Sequence, residues 1–454
     1  MLRSSGAPMP RRLSPAQILV LGFAGLIAGG ALLLSLPWSS ASGDSVGLVD
    51  AAFTSTSAVC VTGLIVRDTP VEFSLLGQFI IMGLVQAGGL GYMTLSTIFA
   101  VLIGKRLTYK ERLTLQEALN IDTREGLVRF VLSVARMTLV FEGLGALILA
   151  IRWSSELGIG RATYFGVFHA VSAFNNAGFS LFSDNLMGYR GDFTVNLVIS
   201  TLIICGGLGF FVLREIRSYR SYDRWSLHTK LVLAFTGGLL ASGTVLIFLL
   251  ERWNPRTLGP LGWGEAALAA YFQAVTPRTA GFNTIAIGDM SQAALFVLIV
   301  LMFIGASPGS TGGGVKTTTF GVTLMALWAT VRGDEEADAF GRRIPAEVVS
   351  RAFFISLIAF LWVAMLGLVL LIVEQGDLLP TLFETTSAFG TVGLSMGRPG
   401  SVLSLAGHYS EAGKLLLALM MYLGRVGPLT VAIALAARRA RPRLRHPEGR
   451  VFIG

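Results

Sequence analysis

Long uncharged apolar segments alternate with short polar segments along the chain, and this alternation predicts its helices. Windows free of Asp, Glu, Lys and Arg include residues 75–104, 193–213, 231–250 and 352–373, which are 30, 21, 20 and 22 residues long. An α-helix rises about 1.5 Å per residue, so about 20 residues cross the roughly 30 Å hydrocarbon core of a bilayer. The pattern therefore predicts a polytopic membrane protein made of helices.

One order of segments occurs four times: a span, a short half-helix, a glycine turn and a returning span. The four predicted half-helices are residues 50–57, 162–173, 263–275 and 379–389. The glycines that close the turns are Gly63, Gly178, Gly281 and Gly393, and they are 115, 103 and 112 residues apart. This near-constant period indicates a fourfold internal repeat.

The repeats predict the fold class. All four have the same polarity, which implies parallel repeats around an axis along the membrane normal. We expect an all-α polytopic membrane protein with four parallel M1–pore-loop–M2 repeats around a central pore, containing eight spans and four re-entrant half-helices. The expected repeat bounds are 1–113, 114–221, 222–340 and 341–454.

The third turn differs from the other three. A phenylalanine stands ten residues before the glycine in repeats one, two and four (Phe53, Phe168 and Phe383). In the third repeat Phe272 stands nine residues before the glycine, so the third loop is predicted to be one residue shorter. The same loop carries Arg278, which we expect to brace the loop by hydrogen bonds to nearby carbonyls rather than to repel cations.

Composition and charge agree with a membrane protein. Hydrophobic residues make up 53% of the chain and charged residues only 14%, against about a quarter in soluble domains. The net charge is +9, and 24 of the 36 Lys and Arg lie in residues 1–14, 104–129, 214–230, 331–351 and 438–454. Positive charge in alternate loops follows the positive-inside rule and predicts cytoplasmic N- and C-termini. The basic tail at 438–445 can contact anionic lipid, and no nucleic-acid partner is required.

The four glycine turns have the features expected of an ion filter. Half-helices that end near the membrane centre place their partially negative C-terminal ends there, and these attract cations. Extended residues after each half-helix can offer backbone carbonyls to a dehydrated ion. The predicted filter, with K⁺ as its ion, consists of Val61, Thr62, Gly63, Asn176, Ala177, Gly178, Thr279, Ala280, Gly281, Thr391, Val392 and Gly393. The alternative is that these glycines only permit close helix packing.

The third returning helix contains a glycine-rich interruption. The apolar pieces 293–304 and 320–331 are each about 18 Å long as helices, so neither spans alone. Residues 305–319 between them are predicted to line the cavity below the filter and to act as a gate. The predicted gate residues are Gly305, Gly309, Gly312, Gly313, Gly314, Lys316 and Arg425. A nucleotide-binding loop is excluded because Val315 separates the last glycine from Lys316 and no strand precedes the motif.

Besides Arg278, the charged residues Arg425, Glu384 and Asp50 lie in predicted spans or half-helices. Arg425, expected in the middle of the last span at 413–437, should face the cavity or protein carbonyls because a buried unpaired arginine is costly. It could be an electrostatic barrier, a donor to the gate loop, or a structural anchor between repeats. Glu384 and Asp50 are expected to interact with the N-terminal dipoles of their half-helices.

Several motifs resemble the TrkH/KtrB/HKT superfamily of potassium transporters. They are residues 54–63 with 86–94, and residues 175–179, 278–283, 305–319 and 390–394. The direct start with the first repeat resembles the KtrB branch. The resemblance implies a bacterial inner-membrane protein that forms a homodimer and docks a cytosolic ring of nucleotide-binding regulatory subunits of the KtrA type. In this superfamily, glycine in all four turns is associated with potassium selectivity, so the resemblance implies that this chain selects potassium.

The sequence therefore predicts potassium-selective uptake through a gated pore, with no covalently bound cofactor and with Na⁺ as a candidate modulator. The alternative is a sodium- or proton-coupled secondary transporter of a solute or cation. Such a transporter needs intramembrane carboxylates, and Glu142 is the main candidate. No nucleophile–base pair or metal-ligand cluster suggests an enzyme.

Overall fold

The protein is predominantly helical. The computed structural model describes residues 14–91, 94, 127–219 and 221–435. The helices within these residues are α1 (Pro15–Ser35), α2 (Leu48–Val59), α3 (Thr69–Glu72), α4 (Leu75–Leu90), α5 (Leu127–Leu157), α6 (Ile159–Phe174), α7 (Phe193–Leu208), α8 (Phe210–Ser218), α9 (Leu227–Glu251), α10 (Trp263–Val275), α11 (Gln292–Phe303), α12 (Thr317–Arg332), α13 (Ala346–Glu374), α14 (Leu378–Gly390), α15 (Glu411–Val426) and α16 (Pro428–Leu435). Two short antiparallel strands, Asp338–Ala339 and Arg342–Arg343, pair after α12.

The helices follow the same order four times. A long helix (α1, α5, α9 or α13) precedes a short helix (α2, α6, α10 or α14), and a second helix (α4, α7, α11 or α15) follows. The long helices are 21, 31, 25 and 29 residues long. Four described helices are long and apolar enough to cross a membrane, and a bent pair, α7 with α8, makes a fifth candidate.

The short helices lie in the interior. Phe53, Phe168, Phe272 and Phe383, the residues that mark the repeats in the sequence, are each at most 1% exposed. Glycines of three second helices pack against the C-terminal ends of short helices: Gly88 on the Val59 carbonyl, Gly206 on that of Phe174, and Gly424 on that of Phe389. A Cβ at any of these glycines would overlap the carbonyl oxygen. The glycines therefore bring the second helices against the ends of the short helices.

Two returning spans that the sequence predicted as continuous are broken, and these predictions were wrong. The segment 193–213 bends by 97° at Gly209, between α7 and α8. The segment 413–437 breaks at Gly427, between α15 and α16, so Arg425 lies in the last turn of α15 and not in the middle of a helix. Both glycines have left-handed backbone angles, φ 95° and 91°, which glycine adopts without a Cβ penalty.

Some predicted features lie outside the described residues. They include the arginines of the N-terminus, the basic segment at 104–126, the end of the predicted first returning span at 103, and the basic tail after residue 437. The first returning span is described as α4 up to Leu90, where Gly91 has φ 77°.

Candidate functional site

The four glycine turns share one backbone conformation. Gly63, Gly178, Gly281 and Gly393 have φ of 91°, 70°, 77° and 91°. The residue two positions earlier in each turn also has positive φ: 52° at Val61, 59° at Asn176, 73° at Thr279 and 50° at Thr391. Three of these four are β-branched residues, for which this region is strained by about 1–2 kcal/mol. The surrounding structure must therefore hold the turns in place.

The turns close into a ring. A Cβ added to Gly178 would lie 2.8 Å from the carbonyl oxygen of Ala280, and one added to Gly281 would lie 2.5 Å from that of Val392. The same relation joins Gly393 to the carbonyl of Thr62, and Gly63 to that of Ala177. Each turn thus packs its glycine against the equivalent carbonyl of the next turn. The structure brings all twelve predicted filter residues into this ring.

Hydrogen bonds at the helix ends fix the turns, and the third turn differs. The amides of Thr62, Ala177 and Val392 donate to the carbonyl five residues earlier at 2.7–2.8 Å. In the third turn the Ala280 amide donates to the Thr276 carbonyl, only four residues earlier, at 2.9 Å. The third turn is therefore one residue shorter, as its sequence spacing predicted.

A side chain also links the second turn to the third. The Asn176 Nδ2 donates to the Thr279 hydroxyl (3.1 Å) and to the Arg278 carbonyl (3.3 Å). Asn176 is fully buried and belongs to the pair of asparagines that precede Ala177. The sequence had suggested only a backbone-ligand role for Asn176.

Beyond the glycines lies an open cavity of about 650 Å³, lined by the loops that lead to the second helices and by the junction of α13 and α14. All four turn glycines line it. Among the described residues, its charged lining consists of Asp68, Asp184, Asp289, Glu374, Asp377 and Arg398. The excess of carboxylates favours the local accumulation of cations.

The glycine-rich segment that the sequence predicts to be a gate lies between α11 and α12, and residues 304–316 are here called the gate loop. Its two ends, here called its neck, are joined by hydrogen bonds. The Gly305 amide donates to the Val315 carbonyl (2.8 Å), and the Thr317 amide donates to the Ala306 carbonyl (3.2 Å). Inside the loop, the Lys316 Nζ donates to the Gly312 carbonyl at 2.7 Å. The ammonium therefore stabilises the folded loop from within.

The tip of the gate loop contacts the ring directly. The Gly313 amide donates to the Thr391 hydroxyl at 3.1 Å. Gly312 packs so closely against the Thr279 side chain that a Cβ there would overlap it, and a Cβ at Gly314 would lie 3.3 Å from Gly390. The loop thus meets the ring at the third and fourth turns, through residues two positions before the turn glycines. Gly309, the remaining predicted gate glycine, contacts the second repeat. Its carbonyl accepts a hydrogen bond from the amide of Phe210, the first residue of α8, at 3.0 Å.

Arg425 joins the gate loop to another repeat. Its guanidinium donates to the carbonyl of Thr311 in the gate loop and to those of Gly88 and Gly89 at the end of α4. Of the three roles left open by the sequence, the structure gives Arg425 the contacts of a donor to the gate loop, and these contacts also join three repeats.

Other charged residues have partners that the sequence did not predict. Arg278 is 6% exposed, and its Nη2 donates to the Thr317 hydroxyl at 2.9 Å rather than to a carbonyl. Glu384 lies in the middle of α14, where its carboxylate accepts from the Ser395 hydroxyl (2.6 Å) and the Ala406 amide (2.9 Å). The predicted interaction of Glu384 with the N-terminal dipole of its own half-helix was therefore wrong.

Asp50 lies in the first turn of α2, as predicted, and it also bridges two cations. Its carboxylate pairs with Lys414 and with Arg67, both at 2.7 Å. Glu142, the candidate coupling carboxylate, is 7% exposed. It accepts a hydrogen bond from the side-chain Nδ2 of Asn175, next to the second turn, at 2.9 Å. No cluster of three potential His, Cys, Asp or Glu metal ligands occurs among the described residues.

Known proteins resemble this chain over most of its length. A family model for TrkH, described as a cation transport protein, matches residues 16–443. Potassium uptake protein B of the Ktr system of Bacillus subtilis is 44% identical over 98% of this chain and 97% of its own. The potassium/sodium uptake protein NtpJ of Enterococcus hirae is 39% identical over 98% of both chains.

A solved structure agrees with the fold. The potassium transporter TrkH from Vibrio parahaemolyticus matches 96% of this chain and 87% of its own with a TM-score of 0.75, at 20% sequence identity. The family and these relatives are ion transporters and not enzymes, which confirms that expectation from the sequence. The match along nearly the whole chain, together with the relatives above 30% identity, establishes that this protein belongs to the TrkH family of cation transport proteins.

Proposed function

We propose that this membrane protein takes up potassium selectively through a pore whose filter is the ring of four glycine turns. The observation that carries the proposal is the closed packing of each turn glycine on the equivalent carbonyl of the next turn. Such a ring places four short-helix C-terminal ends around one axis, and their partial negative charge stabilises a cation there. The potassium uptake proteins among the relatives support K⁺ as the ion.

The topology that we propose has eight spans and four re-entrant half-helices, in repeats bounded at 1–113, 114–221, 222–340 and 341–454. Both termini lie in the cytoplasm, in line with the charge distribution. In this arrangement the 650 Å³ cavity faces outward, and its carboxylates concentrate K⁺ at the filter entrance.

The gate loop controls passage in this proposal. It contacts the third and fourth turns and is fastened by Arg425, so an ion that leaves the filter meets it next. Glycine-rich backbone can rearrange between states that differ by a few kcal/mol. A regulatory partner therefore needs only modest binding energy to move the loop.

We further propose that the protein works as a homodimer with a cytosolic ring of nucleotide-binding subunits. The names of two relatives as components of a Ktr system support a multi-subunit assembly. Na⁺ remains a candidate modulator, and no covalent cofactor is required.

A second candidate is uptake of both potassium and sodium, which the name of the Enterococcus hirae relative favours. Coupled transport through Glu142 has weaker support. Its carboxylate accepts from Asn175 and from Gln86 (3.4 Å), so it is held by neutral amides with no basic partner among these contacts.

Flux into liposomes that contain the purified protein tests the proposal. We expect potassium and rubidium to enter much faster than sodium, while protein-free liposomes give the background. Equal sodium and potassium flux would contradict potassium selectivity and support the second candidate. Uptake that requires a proton or sodium gradient would instead support coupled transport.

A further inference from the structure

The contact between Arg278 and Thr317 joins the third filter turn to the gate loop at a point that the proposed function does not use. Arg278 is the charged residue within the four turns, and Thr317 is the first residue of α12, immediately after the gate loop. The two residues are 39 positions apart and both are buried. The hydrogen bond between them is therefore a tertiary link between two functional elements.

The Thr317 hydroxyl uses its full hydrogen-bonding capacity. It accepts from Arg278 Nη2 (2.9 Å) and from the Ser307 hydroxyl (3.4 Å), and it donates to the Gly305 carbonyl (3.1 Å). A hydroxyl offers one donor and two acceptor lone pairs, so all three are engaged. Because Gly305 is the second residue of the gate loop and Thr317 directly follows the loop, this hydroxyl joins the two ends of the loop.

Arg278 holds this hydroxyl from the filter side. Its own carbonyl accepts from Asn176, so the residue is anchored in the ring at its backbone and in the gate at its side chain. A hydrogen bond from a charged donor is stronger than one from a neutral donor, and burial excludes competing water.

We propose that Arg278 and Thr317 form a latch that holds the neck of the gate loop against the third filter turn in the non-conducting position. The inference rests on the proposed function, because it requires a filter and a gate. Arg278 and Thr317 are positioning residues: they act on the ion through the loop and not by contact with it. The shortened third turn is the turn that carries the latch.

The test uses the full-length protein in liposomes, without a regulatory partner. Thr317→Val keeps the branched shape and removes the hydroxyl, and we expect it to raise the maximal potassium flux about tenfold. The half-saturating potassium concentration and the potassium-over-sodium preference should stay at wild-type values, because the turns themselves are unchanged. Thr317→Ser keeps the hydroxyl and should restore wild-type flux.

Thr323→Val is the matched control on the same helix. The Thr323 hydroxyl donates only within α12, to the Thr319 carbonyl at 2.9 Å, so its loss should leave flux unchanged. Arg278→Gln removes the same contact from its other partner. If only one of Thr317→Val and Arg278→Gln folds, that variant alone is enough to test the latch. Their combination should give no more flux than the stronger single variant, because both remove the same contact.

Three results would overturn the latch. They are wild-type flux in Thr317→Val or Arg278→Gln, an equal increase in the control Thr323→Val, or additive effects in the double variant. Failure of the proposed function gives a different result, since the wild-type protein would then show no preference for potassium. A potassium-selective wild type with an unresponsive Thr317→Val variant refutes the latch alone.

Discussion

Replacement of Gly178 by alanine should disturb the ring of turns at a single point. The added Cβ would lie 2.8 Å from the Ala280 carbonyl oxygen and 3.0 Å from the Gly281 Cα. Both neighbours are backbone atoms of the third turn, so the ring must widen by several tenths of an ångström. The φ of 70° adds about 1–2 kcal/mol for a residue with a Cβ, and overpacking adds about 1–3 kcal/mol.

A strain of about 2–5 kcal/mol is comparable with the free-energy differences that separate one ion from another, since 1.4 kcal/mol is tenfold. We therefore expect Gly178→Ala to lower the potassium-over-sodium flux ratio in liposomes by at least about tenfold. The displaced carbonyl of Ala280 is the physical cause, because it belongs to the proposed ion-binding set.

Gly237→Ala is the control for this substitution. Gly237 lies within α9, and a Cβ there has no atom within 4 Å. In a helix interior alanine is favoured over glycine by about 1 kcal/mol, so this variant should fold and conduct as the wild type does. If folded Gly178→Ala protein kept the wild-type ion preference, the ring would not be the selective element and the reasoning would fail.

Three further predictions concern the gate and the scaffold. Arg425→Ala removes the guanidinium from the Thr311 carbonyl and should raise potassium flux about tenfold or more; unchanged or lower flux in folded protein would exclude its role in holding the gate. Thr391→Val leaves the Gly313 amide without its acceptor and should also raise flux, whereas Thr385→Val, whose hydroxyl bonds only to its own helix, should have no effect on the same assay. Asp50→Asn weakens the pairs with Lys414 and Arg67 and should lower the midpoint of thermal unfolding by several degrees in detergent; an unchanged midpoint would show that these pairs contribute little.

The repeat and its short helices were predictable because their signals are local. The spacing of glycine and phenylalanine, and the length of the apolar windows, depend on residues close together in the chain. The break in the third returning helix was predictable for the same reason. Two apolar pieces that are each too short to span, with a run of glycines between them, leave no continuous helix.

The bends at Gly209 and Gly427 were not predictable in this way. A single glycine lowers helix stability by only about 1 kcal/mol, which surrounding apolar residues easily override. At Gly209 the structure supplies the missing reason. The Phe210 amide donates to the Gly309 carbonyl of the gate loop, and Gly209 itself packs against the Pro308 carbonyl. The bend thus depends on a segment about a hundred residues away.

The sequence by itself determined the helical class, the fourfold order, the shortened third turn and the glycine-rich break in the third returning helix, because each depends on a short stretch of residues. Only the tertiary structure decided which atoms these stretches bring together. The left-handed angles at Val61 and Thr391 strain these residues against their local preference. The hydrogen bonds of Arg425 to the Thr311 carbonyl and of Arg278 to Thr317 join distant segments in ways that local preference leaves open. Their physical reason is tertiary packing: buried polar groups must find partners, and here those partners lie far away in the chain, as with Thr317 for Arg278 and the carbonyls of other repeats for Arg425.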